Sequence, residues 1–112
     1  MGAPLHQVKA ELFRTLGHPV RVRVLELLQD GPRAVRDLLT EIDVEPSNLS
    51  QQLAVLRRAG LVASSRDGAL VIYMLSTPDV ADLLAAGRRI LASVLDDRDG
   101  LREQLRLEGT SR

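Results

Sequence analysis

Residues 46–60 read Pro-Ser-Asn-Leu-Ser-Gln-Gln-Leu-Ala-Val-Leu-Arg-Arg-Ala-Gly. At 100° per residue on a helix, Leu49, Leu53 and Leu56 fall on one narrow apolar stripe. Ser47, Gln51, Ala54 and Arg58 fall on the opposite face. Asn48 and Gln52 flank that face on one side, Ser50 and Arg57 on the other. The first two turns are small or amide-bearing and hold no acid after Glu45. Side chains of this kind suit a helix that enters the DNA major groove by its N-terminus. Gln and Asn pair with base edges, and Ser donates to or accepts from phosphates and bases. Arg57 and Arg58 close the helix with cations, where they complement its dipole and can hold phosphates. A third cation, Arg66, precedes the dipeptide Asp67-Gly68, a two-residue hairpin signal. An arginine at a hairpin tip reaches phosphates or the minor groove.

Other chemistries are poorly served by the chain. There is no cysteine among the 112 residues, which excludes disulfides, thiolate metal sites and thiol redox chemistry. The two histidines, His6 and His18, have no second ligand at a helical metal-site spacing. His18 directly precedes Pro19, which suggests a local role at a helix start. Asp96, Asp97 and Asp99 crowd into one turn, with no glutamate at the offset a calcium loop requires. No nucleophile elbow, glycine-rich phosphate loop or nucleophile–base pair is present, so no enzyme is expected. Phe13 and Tyr73 are the only aromatics, too few for a base-stacking platform. No cofactor and no metal site are expected.

The elements that must position the 46–60 helix are clearly punctuated. Leu5, Val8, Leu12, Phe13 and Leu16 stripe a first helix over 5–16, stopped by Gly17. Pro19 opens a second helix carrying Val20, Val24, Leu25, Leu27 and Leu28, and Gly31-Pro32 closes it. Val35, Leu38, Leu39 and Ile42 place a short third helix over about 33–42, and Pro46 opens the fourth. After Gly60 the apolar period changes from 3.6 to 2. Leu61 to Arg66 and Ala69 to Leu75 read as two strands about Asp67-Gly68. Thr77, Pro78 and Asp79 then suit a cap and first turn for a last helix over 78–95, bearing Val80, Leu83, Leu84, Ile90, Leu91, Val94 and Leu95. The charged tail has a weak stripe through Leu101, Leu105 and Leu107, and 108–112 is expected to fray.

The expected fold is thus mainly α with a β-hairpin wing: a winged helix-turn-helix in the order α-α-α-α-β-β-α. It forms one domain over 1–112, with the helix-turn-helix at 33–59 and the wing at 61–75. The terminal helices carry more apolar surface than so small a core can hide. Leu5, Leu12, Phe13 and Leu16, with Leu84, Ile90, Leu91 and Leu95, are the expected interface of a two-fold homodimer. Such a dimer would set two reading helices about 34 Å apart, one DNA turn.

Net charge is zero, with 15 cations against 15 acids, so the basic excess common in DNA binders is missing. Fourteen of the cations are arginine, whose planar donor fork suits phosphates and guanine edges. No apolar run approaches membrane-spanning length, and Met1 to Lys9 has no signal-peptide core, so a cytoplasmic protein without membrane contact is expected.

Three stretches together resemble a known family. Leu16-Gly17-His18-Pro19-Val20-Arg21 with Val24-Leu25-Glu26-Leu27-Leu28 is similar to the second-helix signature of ArsR/SmtB-type repressors. The run from Ser47 to Val62 resembles their recognition helix and first wing strand. Arg66-Asp67-Gly68, followed by Tyr73 and Leu75, resembles the rest of their wing. The likeness covers about Val8 to Leu95. It implies a bacterial, dimeric winged-helix repressor on a palindromic operator of double-stranded DNA, paired through its first and last helices and released by an inducer. The metal positions of that family depart from its pattern. The Cys-x-Cys places fall on Ala34 and Arg36, and the zinc places between the last helices fall on Thr77, Asp79, Ile90 and Ser93. A metal-independent member with an unknown small-molecule or protein inducer follows. DNA contact is assigned to Ser47, Asn48, Ser50, Gln51, Gln52, Arg57, Arg58 and Arg66. Three alternatives stay open: a winged-helix protein-interaction module without DNA binding, for which Glu41, Asp43 and Glu45 speak; a small-molecule sensor; and a metal-responsive repressor with an unrecognised site.

Overall fold

The computed structural model describes residues 2–110. Its elements are α1 (Leu5–Leu16), α2 (Pro19–Leu28), β1 (Arg33–Ala34), α3 (Val35–Glu41), α4 (Pro46–Arg58), β2 (Val62–Asp67), β3 (Leu70–Leu75) and α5 (Asp79–Thr110). The helix-turn-helix and wing expected from the sequence are both present. Two compact units result, one running to Ala81 and one from Asp82 onward.

In the first unit the helix boundaries follow local chemistry. Gly17 caps α1, its N–H bonding back to the Arg14 carbonyl. His18 adopts extended backbone angles, and its Nδ1 accepts the Val20 N–H at 3.2 Å, which satisfies one of the orphan donors of α2. Pro19 and Pro46 occupy first-turn positions in α2 and α4, where a missing N–H costs nothing. Gly60 ends α4 with a φ of +79°, a left-handed conformation that glycine adopts without steric penalty. The apolar stripes of α2, α3 and α4 meet in one core. Val24, Leu25, Leu38, Leu49, Leu53 and Leu56 are all but inaccessible to solvent, and Val62 and Val80 are buried with them.

Three expectations are corrected. The third helix does not start at 33. Arg33 and Ala34 form β1, which pairs antiparallel with β3 through Arg33↔Tyr73 and Ala34↔Ile72. The sheet therefore has three strands in the order β1-β3-β2 and is not a lone hairpin. The pairing occupies the backbone of both residues before α3 begins. Second, the hairpin turn lies one residue later than read. Asp67 pairs with Leu70, which leaves Gly68-Ala69 as the loop, with Gly68 at a φ of +63°. Glycine at the first loop position supplies the positive φ that tight hairpin turns use. Third, α5 does not end at 95 but continues to Thr110, 32 residues in all. Of the stretch 108–112 expected to fray, the helix takes in residues as far as Thr110; Ser111 and Arg112 lie outside the described residues.

The wing is held at its base. Ser76 N–H bonds to the Leu61 carbonyl, and Ser76 Oγ donates to the Gly60 carbonyl, so the two strand ends are tied where α4 hands over to β2.

Candidate nucleic-acid interface

The reading helix is set by what α4 buries. Leu49, Leu53 and Leu56 point into the core while α4 packs on α2 and β2, so the residues opposite them must face outward. Ser47, Ser50 and Gln51 are exposed on the first two turns, and Arg57 and Arg58 on the last. Ala54, between them, is half-buried and small. No acid lies in the first turn of α4. The exposed face is about 20 Å long, from thirteen residues at the helical rise. Arg57, Arg58 and Arg66 take part in none of the ion pairs found among the described residues. Their guanidinium groups stand in solvent, where anionic phosphates could meet them. Arg66 sits on β2, paired with Val71, next to the tip of the wing.

Gln52 does not belong with this exposed set. It is the one buried polar residue found among those described, 9% exposed, and it bonds to its own protein. Arg21 Nε donates to Gln52 Oε1 at 2.8 Å, and Gln52 Nε2 donates to Asn48 Oδ1 at 2.9 Å. Arg21 also donates from Nη1 to the Thr15 carbonyl at the end of α1, at 3.2 Å. Gln52 was expected to contact DNA; the structure gives it an internal partner on each side. Asn48 is half-buried, with its oxygen engaged. Arg21 had not been singled out as a site residue. The available signal was its position one turn into a helix that must pack on α4.

A cleft of about 440 Å³ opens between the start of α3, the middle of α4 and β3. Arg36, Ser50 and Leu53 line it together with Val71 and Tyr73. Among the described residues no three His, Cys, Asp or Glu side chains come together to hold a metal ion.

The expected interface residues fall on both units. In the first, α1 has no buried residue, and Leu5, Leu12 and Phe13 are exposed while Leu16 is half-buried. In the second, Ile90, Leu91 and Leu95 are exposed and Leu84 is half-buried. Val94, Leu101, Leu105 and Leu107 extend the exposed apolar surface of α5 beyond the expected interface residues.

A model of the arsR family of bacterial regulatory proteins matches residues 18–64, the stretch from the cap of α2 into β2. The HTH-type transcriptional regulator Rv0081 of Mycobacterium tuberculosis is 53% identical over 109 residues, covering 96% of each chain. The chain belongs to the ArsR family. It is thereby a winged helix-turn-helix transcriptional regulator and not an enzyme. The crystal structure of Rv0081 superposes with a TM-score of 0.81 at 55% identity, covering 87% of this chain and 98% of that one. The transcriptional repressor BigR of Xylella fastidiosa gives a TM-score of 0.68 at 37% identity, over 72% of this chain and 83% of that one. A solution structure from Mycobacterium bovis, described as a homodimeric winged helix-turn-helix DNA-binding domain, gives 0.74 at 29% identity over 83% and 86%. No helix among the described residues of this ArsR-family chain is long and apolar enough to cross a membrane.

Proposed function

We propose that this ArsR-family regulator is a homodimeric repressor that binds a palindromic operator in a sequence-specific way. It acts in the cytoplasm and is released by an inducer that is not a metal ion. The observation that carries this reading is the outward face of α4. It is acid-free in its first turn, exposes Ser47, Ser50 and Gln51, and ends on two exposed arginines over a fully buried leucine stripe. Gln51 and Ser50 are suited to base edges, and Arg57, Arg58 and Arg66 to phosphates. The exposed apolar side chains of α1 and α5, among them Leu5, Leu12, Phe13, Ile90, Leu91 and Leu95, support pairing with a second copy. The relative from Mycobacterium bovis described as homodimeric supports a homodimer.

Fluorescence anisotropy against the DNA upstream of its own gene, with a scrambled duplex as control, tests the proposal. Binding at least about a thousandfold tighter than to the control, saturating at one dimer per site, is the expected result. A second reading, a protein-interaction module without DNA binding, is favoured by the exposed carboxylates of Glu41, Asp43 and Glu45 on the approach to α4. They stand where incoming phosphates would be repelled. Equal, weak binding to both duplexes, together with failure to enrich any genomic fragment, would select that reading.

A further inference from the structure

We propose that Arg21, acting through Gln52, fixes the side-chain amide of Asn48 so that it offers DNA its NH2 donors and not its carbonyl oxygen. The inference rests on α4 being the helix that meets DNA, and it goes further by assigning a hydrogen-bond polarity to one reading residue.

The argument begins at the end of the chain of bonds that has no choice. A guanidinium has five N–H donors and no acceptor. Whatever faces Arg21 Nε must therefore accept, so the amide oxygen of Gln52 is turned toward it, at 2.8 Å. That orientation leaves the Gln52 NH2 on the other side, where it meets Asn48 at 2.9 Å. An NH2 group only donates, so Asn48 must present its oxygen inward. Its own NH2 then lies on the side of the amide away from Gln52. Oxygen and nitrogen of an amide are nearly alike in shape, and the assignment normally has to be inferred from surroundings. Here a donor-only residue settles both amides in sequence. Burial reinforces the order: Gln52 is 9% exposed, so reversing it would set donor against donor where little water can intervene. The second bond of Arg21, to the Thr15 carbonyl, keeps the guanidinium from turning away.

The consequence is chemical. Asn48 stands at the third position of α4, half-buried beside exposed Ser47 and Gln51. With its oxygen engaged inside the protein, it is set to donate to an acceptor on DNA. Guanine presents two acceptors in the major groove, and a phosphate presents only acceptors. Adenine in its bidentate mode asks for one donor and one acceptor, and cytosine asks for an acceptor. Arg21 is thus a positioning residue: it acts on DNA through two amides, of which only that of Asn48 meets the nucleic acid.

The full-length protein tests this with the variant Gln52→Glu. A carboxylate still accepts from Arg21, but it also accepts on its other oxygen, so Asn48 must reverse and turn its carbonyl outward. In the free protein, NMR exchange rates of the side-chain amide protons report the reversal without any DNA. The expected result is fast exchange at Asn48 and slow exchange at Gln52 in the unmodified protein, with Asn48 slowed in Gln52→Glu. Arg21→Lys, also donor-only, should retain the unmodified pattern. Asn48 exchange that ignores Gln52→Glu overturns the proposal even if DNA binding is intact, and the exchange result stands even if no DNA is bound.

Selection from a pool of randomised duplexes then identifies the acceptor. A shift of about tenfold away from guanine toward adenine or cytosine at a single base pair in Gln52→Glu places Asn48 on a base edge. A uniform loss in both Gln52→Glu and Asn48→Ala, with base choice unchanged, places it on a phosphate. Identical affinity and base choice for Asn48→Ala and the unmodified protein overturns the assignment of Asn48 to DNA.

Discussion

Gln51 and Gln52 are adjacent and chemically identical, yet Gln51 projects into solvent while Gln52 is buried between Arg21 and Asn48. One step along a helix rotates a side chain by about 100°, enough here to separate a surface group from a structural one. The two alanine variants should therefore fail differently. Gln51→Ala should leave the urea midpoint unchanged and weaken the cognate site by about 1–3 kcal/mol with relaxed base choice. Gln52→Ala should lower stability itself, by about 1–3 kcal/mol, because Arg21 and Asn48 each lose a partner in a half-buried setting. Equilibrium denaturation beside anisotropy separates the two. A stable Gln52→Ala variant would contradict the structural role.

Arg58 is expected to act through charge alone. It is exposed, lies in the last turn of α4 and forms no ion pair among the described residues. Arg58→Ala should weaken binding to cognate and scrambled duplexes alike, and should reduce the slope of log affinity against log salt by about one. A loss confined to the cognate duplex would mean that Arg58 reads a base.

Leu91 and Leu53 offer a contrast between association and folding. Leu91 is 63% exposed on α5, whereas Leu53 is 1% exposed on α4. Leu91→Glu should leave the circular dichroism spectrum intact and convert the proposed dimer to monomer in sedimentation velocity. Leu53→Ala should instead lower stability by about 2–5 kcal/mol, the cost of emptying a well-packed site. Persistence of a dimer in Leu91→Glu would move the interface elsewhere.

Two backbone positions give opposite expected changes in stability. At Gly100, within α5, an added Cβ meets nothing within 4 Å. Gly100→Ala should therefore raise helicity and stabilise α5 by about 0.5–1 kcal/mol. At His18 the imidazole accepts the Val20 N–H, and His18→Ala should cost about 1 kcal/mol, the usual loss on removing a helix cap. Thermal unfolding monitored by far-ultraviolet circular dichroism measures both.

Much of the fold was legible because its boundaries carry local signals. Gly17, Pro19, Pro46 and Gly60 mark helix ends that depend on neighbours in the chain, and those ends stand within a residue of where they were read. Leu49, Leu53 and Leu56 were legible as the buried stripe because period and hydrophobicity agree. What escaped was non-local or weakly patterned. β1 has two residues, and its only reason for being a strand is Tyr73 and Ile72 far along the chain. The extension of α5 past Leu95 follows from helix-forming Leu, Arg, Glu and Gln, whose propensity does not need a strong apolar face. Gln52 was misplaced because a helical wheel gives an angle and not the reach of an arginine from another helix.

The small β1–β3 ladder also bears on how the chain folds. Arg33 and Tyr73 are paired although forty positions separate them (73 − 33), and the stretch between contains α3, α4 and β2. Helical turns and the β2–β3 hairpin form from near neighbours, whereas this pairing requires a long loop to close first. Closure of that loop is therefore the slow, non-local event expected in refolding, and it encloses the whole helix-turn-helix. A chain cut before Tyr73 would keep both helices of the motif and lose the strand that closes the loop around them.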